Sequence, residues 1–161
     1  MSKNKQTVFK YINYILFLIG IWIIVTFFIA GGVYTSEVVI NPDNGLTYHF
    51  TVFQVMFGKS VNGLNYFKPN LFGFIIILFL VAGLIIPTIH KVNRRIRHSL
   101  AGFLLLVSGL ALFALPSVVN LGNGWQDPTT VVITLGPALL ISAIITVLFS
   151  IINFVLALIR E

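Results

Sequence analysis

The run LFGFIIILFLVAGLIIPTI, residues 71–89, carries no charged side chain from end to end. A bilayer core is about 30 Å thick and takes about 20 apolar residues of helix, so this stretch by itself predicts a membrane span. Asn70, after Pro69, is its expected N-cap. A basic turn follows at 90–99, and a second apolar run occupies about 100–118, with Ser99 as its expected cap and Pro116 in its last turn. Upstream lies another run, about 9–30, stopped by Gly31-Gly32. Downstream, a last run ends at Ile159.

That last run has two plausible starts. Asp127-Pro128 and Gly136-Pro137 both read as a cap followed by a first-turn proline. A helix over 128–159 would measure about 48 Å, well beyond the bilayer core, whereas one over 137–159 measures about 35 Å. The later start is the expected one. Residues Val131-Val132-Ile133-Thr134, with their β-branched side chains, then form an extended piece outside the bilayer.

Composition agrees with this reading. Of 161 residues, 58% are hydrophobic and 9% charged, whereas a soluble domain carries about 25% charged residues. Too few charges exist to coat a water-soluble surface, and the long apolar runs exclude intrinsic disorder. With no cysteine, a disulfide framework, a thiolate metal site, a Cys nucleophile and a Cys-linked lipid anchor are all excluded. The predicted fold is an all-α transmembrane, four-helix antiparallel bundle with a small extracellular β-hairpin or sheet between spans 1 and 2. The whole of 1–161 is one integral membrane domain.

Orientation follows from the basic residues, because loops rich in Lys and Arg stay in the cytoplasm. Lys3, Lys5, Lys10, Lys91, Arg94, Arg95, Arg97 and Arg160 fall on one side, and only Lys59 and Lys68 on the other. Both termini and the turn 90–99 are therefore expected in the cytoplasm, with loops 31–70 and 119–135 outside a plasma membrane. The first span is too long for a signal-peptide core and lacks an A-x-A cleavage site, so it is expected to remain. The net charge of +6 sits where topology needs it, and no nucleic-acid-binding pattern accompanies it.

The first outside loop has strand character. Val33–Ile40 is β-rich, Asn41-Pro42-Asp43-Asn44-Gly45 is a concentrated turn signal, and Leu46–Phe53 alternates strictly. A hairpin is expected here. An isolated hairpin is marginal in water, so a third strand is expected from Val55-Met56-Phe57 or from Val131–Thr134. Aromatic residues cluster in this loop, among them Tyr48, Phe50, Phe53 and Phe57. They either close a small sheet over the helix ends, which is the favoured reading, or form a partner-binding patch.

No Asp, Glu, Lys, Arg or His lies in the middle of any predicted span. Ion-coupled transporters and proton relays usually place such groups there, which argues against a one-chain pump. The fourth span instead carries a ridge of small or polar residues at Ala138, Ser142, Thr146 and Ser150. Four-residue spacing sets them on one face, for helix packing or, alternatively, for a pore shared between subunits. Gly102, Ser108, Gly109, Ala111 and Ala114 suit packing on the third span. Asn13 and Asn153 share a depth, so a hydrogen bond between them is a further expectation. Lys91, Arg94, Arg95 and Arg97 are topology determinants, with contact to anionic lipid as the alternative.

Chemistry-bearing motifs are missing. Glu37, Asp43, His49 and Asp127 match no metal-ligand spacing, and no nucleophile elbow, zincin helix or phosphate-cradling loop is present. Neither catalysis nor a cofactor nor a metal is expected.

Four antiparallel helices under a small outer sheet is also the layout of claudin-like proteins, although the claudin cysteine pair and tryptophan motif are missing. Phe53-Gln54-Val55-Met56-Phe57-Gly58-Lys59 and the span after it resemble small four-span membrane proteins of low-GC bacteria and mollicutes. That resemblance implies a bacterial source and carries no activity with it. Two functions stay open. One is a non-enzymatic membrane interaction or scaffold protein, whose outer sheet and helix faces contact another membrane protein or a second copy. The other is a small transport, channel or permease-accessory subunit.

Overall fold

The computed structural model describes residues 3–28, 33–37, 47–61, 64–67, 69, 71–89, 91–122 and 131–159. Helices dominate. They are α1 (Lys3–Thr26), the short α2 (Val52–Phe57), α3 (Leu71–Ile85), α4 (Arg94–Gly122) and α5 (Pro137–Leu158). Three stretches are long and apolar enough to cross a membrane: Leu71–Thr88, Arg94–Val118 and Pro137–Leu158. The apolar part of α1, Lys10–Thr26, is shorter.

Extended backbone forms β1 (Val33–Glu37), β2 (Thr47–Phe50), β3 (Lys59–Val61), β4 (Leu64–Phe67) and β5 (Val131–Leu135). Strand β1 lies between β2 and β5, antiparallel to both, with Val33 opposite Phe50 on one side and Leu135 on the other. Strands β3 and β4 pair separately, with an irregularity between Lys59 and Ser60. The expected turn at 41–45 lies outside the described residues, as does the Asn70 cap.

Helix ends follow local chemistry. Pro87 has no N–H to continue an α-helical ladder, so α3 tightens into a 3-10 turn over Ile86–Thr88. Helix α5 starts at Pro137 with Gly136 as an extended N-cap, while residues 131–135 pair with β1 instead of lengthening the helix.

Two sequence expectations are overturned. Helix α4 begins at Arg94, five residues before the predicted Ser99 cap. The Asn93 side-chain oxygen accepts from Arg95 N at 2.9 Å, and Arg97 N donates to the Asn93 carbonyl at 3.0 Å, so Asn93 satisfies the first turn. The alternation through Leu46–Phe53 also breaks early, and Val55-Met56-Phe57 is helical. Thr51 is an extended N-cap whose hydroxyl accepts from Gln54 N at 3.1 Å, while the Gln54 side chain accepts from Thr51 N at 3.0 Å. This reciprocal capping box outweighs the strand pattern. Gly58, with φ 95, then ends α2 in a backbone conformation that a side chain would strain.

Small residues set the helix contacts. A Cβ on Gly102 would lie 3.0 Å from the Phe154 ring, and one on Gly109 would lie 2.7 Å from Val147 Cγ2. As α4 advances from Gly102 to Gly109, its α5 neighbour retreats from Phe154 to Val147, so the pair is antiparallel. Gly83 of α3 meets Leu105 of α4, and Gly20 of α1 meets Leu84 of α3. The core between these helices includes Ile23, Phe27, Ile76, Leu80, Leu105, Leu112 and Leu139, all buried. Helix α2 inserts Val52, Val55 and Met56 into the same core, and Gly73 makes room for Met56.

Candidate functional site: a polar seam and a basic end

The predicted ridge on α5 turns inward. Ser142, Thr146 and Ser150 are buried and Ala138 is half-buried. Ser150 Oγ donates to the Gly102 carbonyl at 2.7 Å, linking α5 to α4. Thr146 Oγ1 donates to the Ser142 carbonyl at 2.7 Å, one turn back along its own helix. Ser142 Oγ lies 2.7 Å from both the Ala138 carbonyl and Thr26 Oγ1 of α1, and Thr26 Oγ1 lies 2.6 Å from the Ile23 carbonyl. Two hydroxyl protons serve those three contacts, so the pair shares them between helix α1 and helix α5. On α4, Ser108 Oγ donates to the Ile76 carbonyl of α3 at 3.1 Å. The arrangement holds four helices together through hydroxyls that find acceptors within one chain.

Below the hydroxyls lies a pair that the sequence reading missed. His98 is 1% exposed and Asn153 is 1% exposed. Asn153 Nδ2 donates to the Phe149 carbonyl at 3.0 Å, which leaves its oxygen to accept from His98 Nδ1–H at 2.9 Å. The signal was available in the spacing: His98 precedes Ala101, Leu105, Ser108 and Leu112 on one helical face, and all four are buried.

The expected Asn13–Asn153 bond is absent. Asn153 is engaged by His98, and Asn13 points instead to the end of α3, where its Nδ2 donates to the Pro87 carbonyl at 3.4 Å. Its Oδ1 is buried with no hydrogen-bond partner in the structure.

The basic residues of the turn divide by role. Arg94 donates to the Leu156 carbonyl at 3.0 Å and to the Ile159 carbonyl at 2.7 Å, closing the C-terminus of α5. Arg97 donates to the Ile89 carbonyl at 3.2 Å, just past the 3-10 turn. A cation at a helix C-terminus satisfies orphan carbonyls and complements the helix dipole. Lys91 and Arg95 stay exposed.

Of the loop aromatics, Phe53 stacks on Phe28, just past the end of α1, at 4.8 Å between centroids and lies 4.4 Å from Phe57, which meets Phe74 of α3 edge-on at 4.5 Å. This row joins α1, α2 and α3, with Phe53 N also donating to the Phe27 carbonyl at 3.0 Å. The side chains of Tyr48 and Phe50 lie outside the described residues. Among the described residues, no group of three or more His, Asp or Glu side chains is placed to hold a metal ion.

No protein-family model, no curated protein and no solved structure matches this chain.

Proposed function

We propose that the chain is a non-enzymatic interaction or scaffold protein of the plasma membrane. In this reading it makes four spans, α1, α3, α4 and α5, with both termini and the turn 90–99 in the cytoplasm. The strands β1, β2 and β5 form the small outer sheet, which together with the outward helix faces contacts another membrane protein.

One observation carries the choice over transport: Ser142, Thr146 and Ser150 find their hydrogen-bond acceptors inside a single copy of the chain. A pore lined by that ridge would have to give up packing that the helices already use. What is left for contact is apolar, above all the α1 face of Tyr11, Ile15, Leu18, Trp22 and Val25, all exposed. Its spacing of three and four residues makes one continuous stripe.

The test is native mass spectrometry of the full chain after gentle extraction from its own membrane. A defined heteromer with another membrane protein is the expected result. A homo-oligomer that conducts ions or solutes in liposomes would refute the scaffold reading and return the ridge to the role of a pore lining.

A further inference from the structure

The 3-10 turn after α3 ends at Thr88 and α4 starts at Arg94, so only residues 89–93 link two stretches long and apolar enough to cross a membrane. A link that short stays at the membrane surface. Depth follows from the length of α4. Residues 100–118 alone rise about 28 Å and fill a hydrocarbon core of about 30 Å. Residues 94–99, about 9 Å more, then cross the headgroup layer.

The surface of this turn is mixed. Ile89, Val92 and Ile96 are exposed, Ile96 by 60%. Lys91 and Arg95 alternate with them and are exposed as well. An aliphatic side chain left in water forgoes about 1.5–3 kcal/mol of burial. Three of them around two cations fit a boundary that is apolar on one side and charged on the other. Ile96 also continues into Leu100 and Phe103, exposed at spacings of four and three on one face of α4. That stripe runs from the basic residues toward the bilayer core, the course of an acyl chain beneath its phosphate.

The four cations of the turn are not equivalent. Arg94 is spent on the Leu156 and Ile159 carbonyls and Arg97 on the Ile89 carbonyl. Among the described residues, nothing pairs with the side chains of Lys91 and Arg95. The sequence holds no ready carboxylate for them either. Of its four acidic residues, Glu37, Asp43 and Asp127 belong to the loops 31–70 and 119–135, and Glu161 follows Arg160.

We infer that Lys91 and Arg95 hold the phosphate of an anionic phospholipid whose acyl chain lies along Ile96, Leu100 and Phe103. A zwitterionic lipid carries its own ammonium beside the phosphate and gains less from these two cations. The contact reads charge and depth, so it takes anionic phospholipids as a class. The inference rests on the membrane reading above and needs no protein partner.

The experiment places a reporter in the turn of the full chain: Ile96→Trp, with Trp22→Phe and Trp125→Phe removing the native tryptophans. The protein is reconstituted in vesicles of phosphatidylcholine and phosphatidylglycerol, with bromine on the acyl chains of one lipid or the other. Brominated phosphatidylglycerol is expected to quench the reporter more than an equal fraction of brominated phosphatidylcholine, which gives the preference at this site. Lys91→Gln and Arg95→Gln should each cut that preference roughly fivefold. Arg94→Gln removes the same charge from a residue turned to carbonyls and should change it by less than about twofold. Val92→Trp reports on the same turn if circular dichroism shows that Ile96→Trp fails to fold. Equal quenching by the two lipids would overturn the inference and leave the cations to an acidic protein or to solvent. An Arg94→Gln loss as large as that of Lys91→Gln would overturn it too, because bulk surface charge would then explain the preference. So would strong quenching by acrylamide with none by the brominated chains, which would put the turn in water. Symmetric vesicles carry both lipids in both leaflets, so the result does not depend on which side the turn faces. The partner test reads a protein mass and this one a lipid contact, so either can fail alone.

Discussion

Replacing Gly109 by Ala places a methyl 2.7 Å from Val147 Cγ2, 3.2 Å from Val147 N and 3.4 Å from the Ala143 carbonyl. The first of these is a hard clash. Val147 is β-branched on a helix, so its side chain has one strongly preferred rotamer and little room to turn away. The other two contacts are backbone, so the relief must come from moving α5 as a body. Overpacking of this kind costs about 1–3 kcal/mol, and the gain in helix propensity from Gly to Ala returns about 1 kcal/mol. The single variant should therefore lose about 0–2 kcal/mol, too small a margin to be the test. Val147→Ala removes the methyl in the way, and the double variant should recover most of the strain. A coupling of about 1–2 kcal/mol is expected, against an additivity error of about 0.3–0.5 kcal/mol for independent sites. Reversible unfolding in mixed micelles, followed by the circular dichroism of the helices, measures all four proteins of the cycle. Additive effects within that error would refute the close approach of α4 and α5 at this level. Gly102→Ala makes a useful contrast, because its nearest neighbour is the Phe154 ring at 3.0 Å, a side chain that can swing aside, and it should show the smaller loss.

Three further outcomes follow from the hydrogen bonds. Asn153→Leu strands the buried His98 Nδ1–H and should cost about 1–3 kcal/mol, whereas His98→Leu/Asn153→Leu should recover part of that loss in the same micelle assay; a double variant no better than the single would dissolve the pair. Thr51→Val removes half of the capping box and should destabilise α2 by about 1 kcal/mol, read as faster amide exchange over residues 52–57; unchanged exchange would show that burial alone holds that turn. Arg94→Gln removes a cation from two α5 carbonyls and should cost about 0.3–1 kcal/mol, appearing as fraying of residues 155–158 and no further up the helix.

Hydrophobic runs carried most of the architecture. The stretches 71–89 and 137–159 correspond to α3 with its 3-10 turn and to α5, because length and proline position constrain an apolar helix strongly. Boundaries decided by one polar side chain were less visible. Ser99 and Asn93 both suit a cap, and the choice fell to Asn93 because the helical face that buries His98 runs on from Ala101 and Leu105 without a break. Thr51 and Gln54 carry the capping signature in plain sight, but the strand alternation over 46–53 competes with it on equal local terms. Packing against Phe27, Phe28 and Gly73 favours the helix, and those residues are remote in sequence. The candidate site was legible in part. The inward ridge on α5 follows from its spacing, whereas the partners of Asn13 and Asn153 depend on which helices touch, and depth alone does not specify that.

The hydroxyl contact between Thr26 and Ser142 joins residues 116 positions apart. Helix α1 is therefore made first and completed last. At a synthesis rate of about 5–20 residues per second, Thr26 waits roughly 6–23 s before Ser142 exists. The hairpin α3–α4 closes through contacts nearer in the chain and has time to assemble meanwhile. During that interval α1 stands without the neighbour that receives Thr26, held by its own backbone hydrogen bonds. Its late arrival makes it the helix most open to capture by a foreign one while the chain is being made.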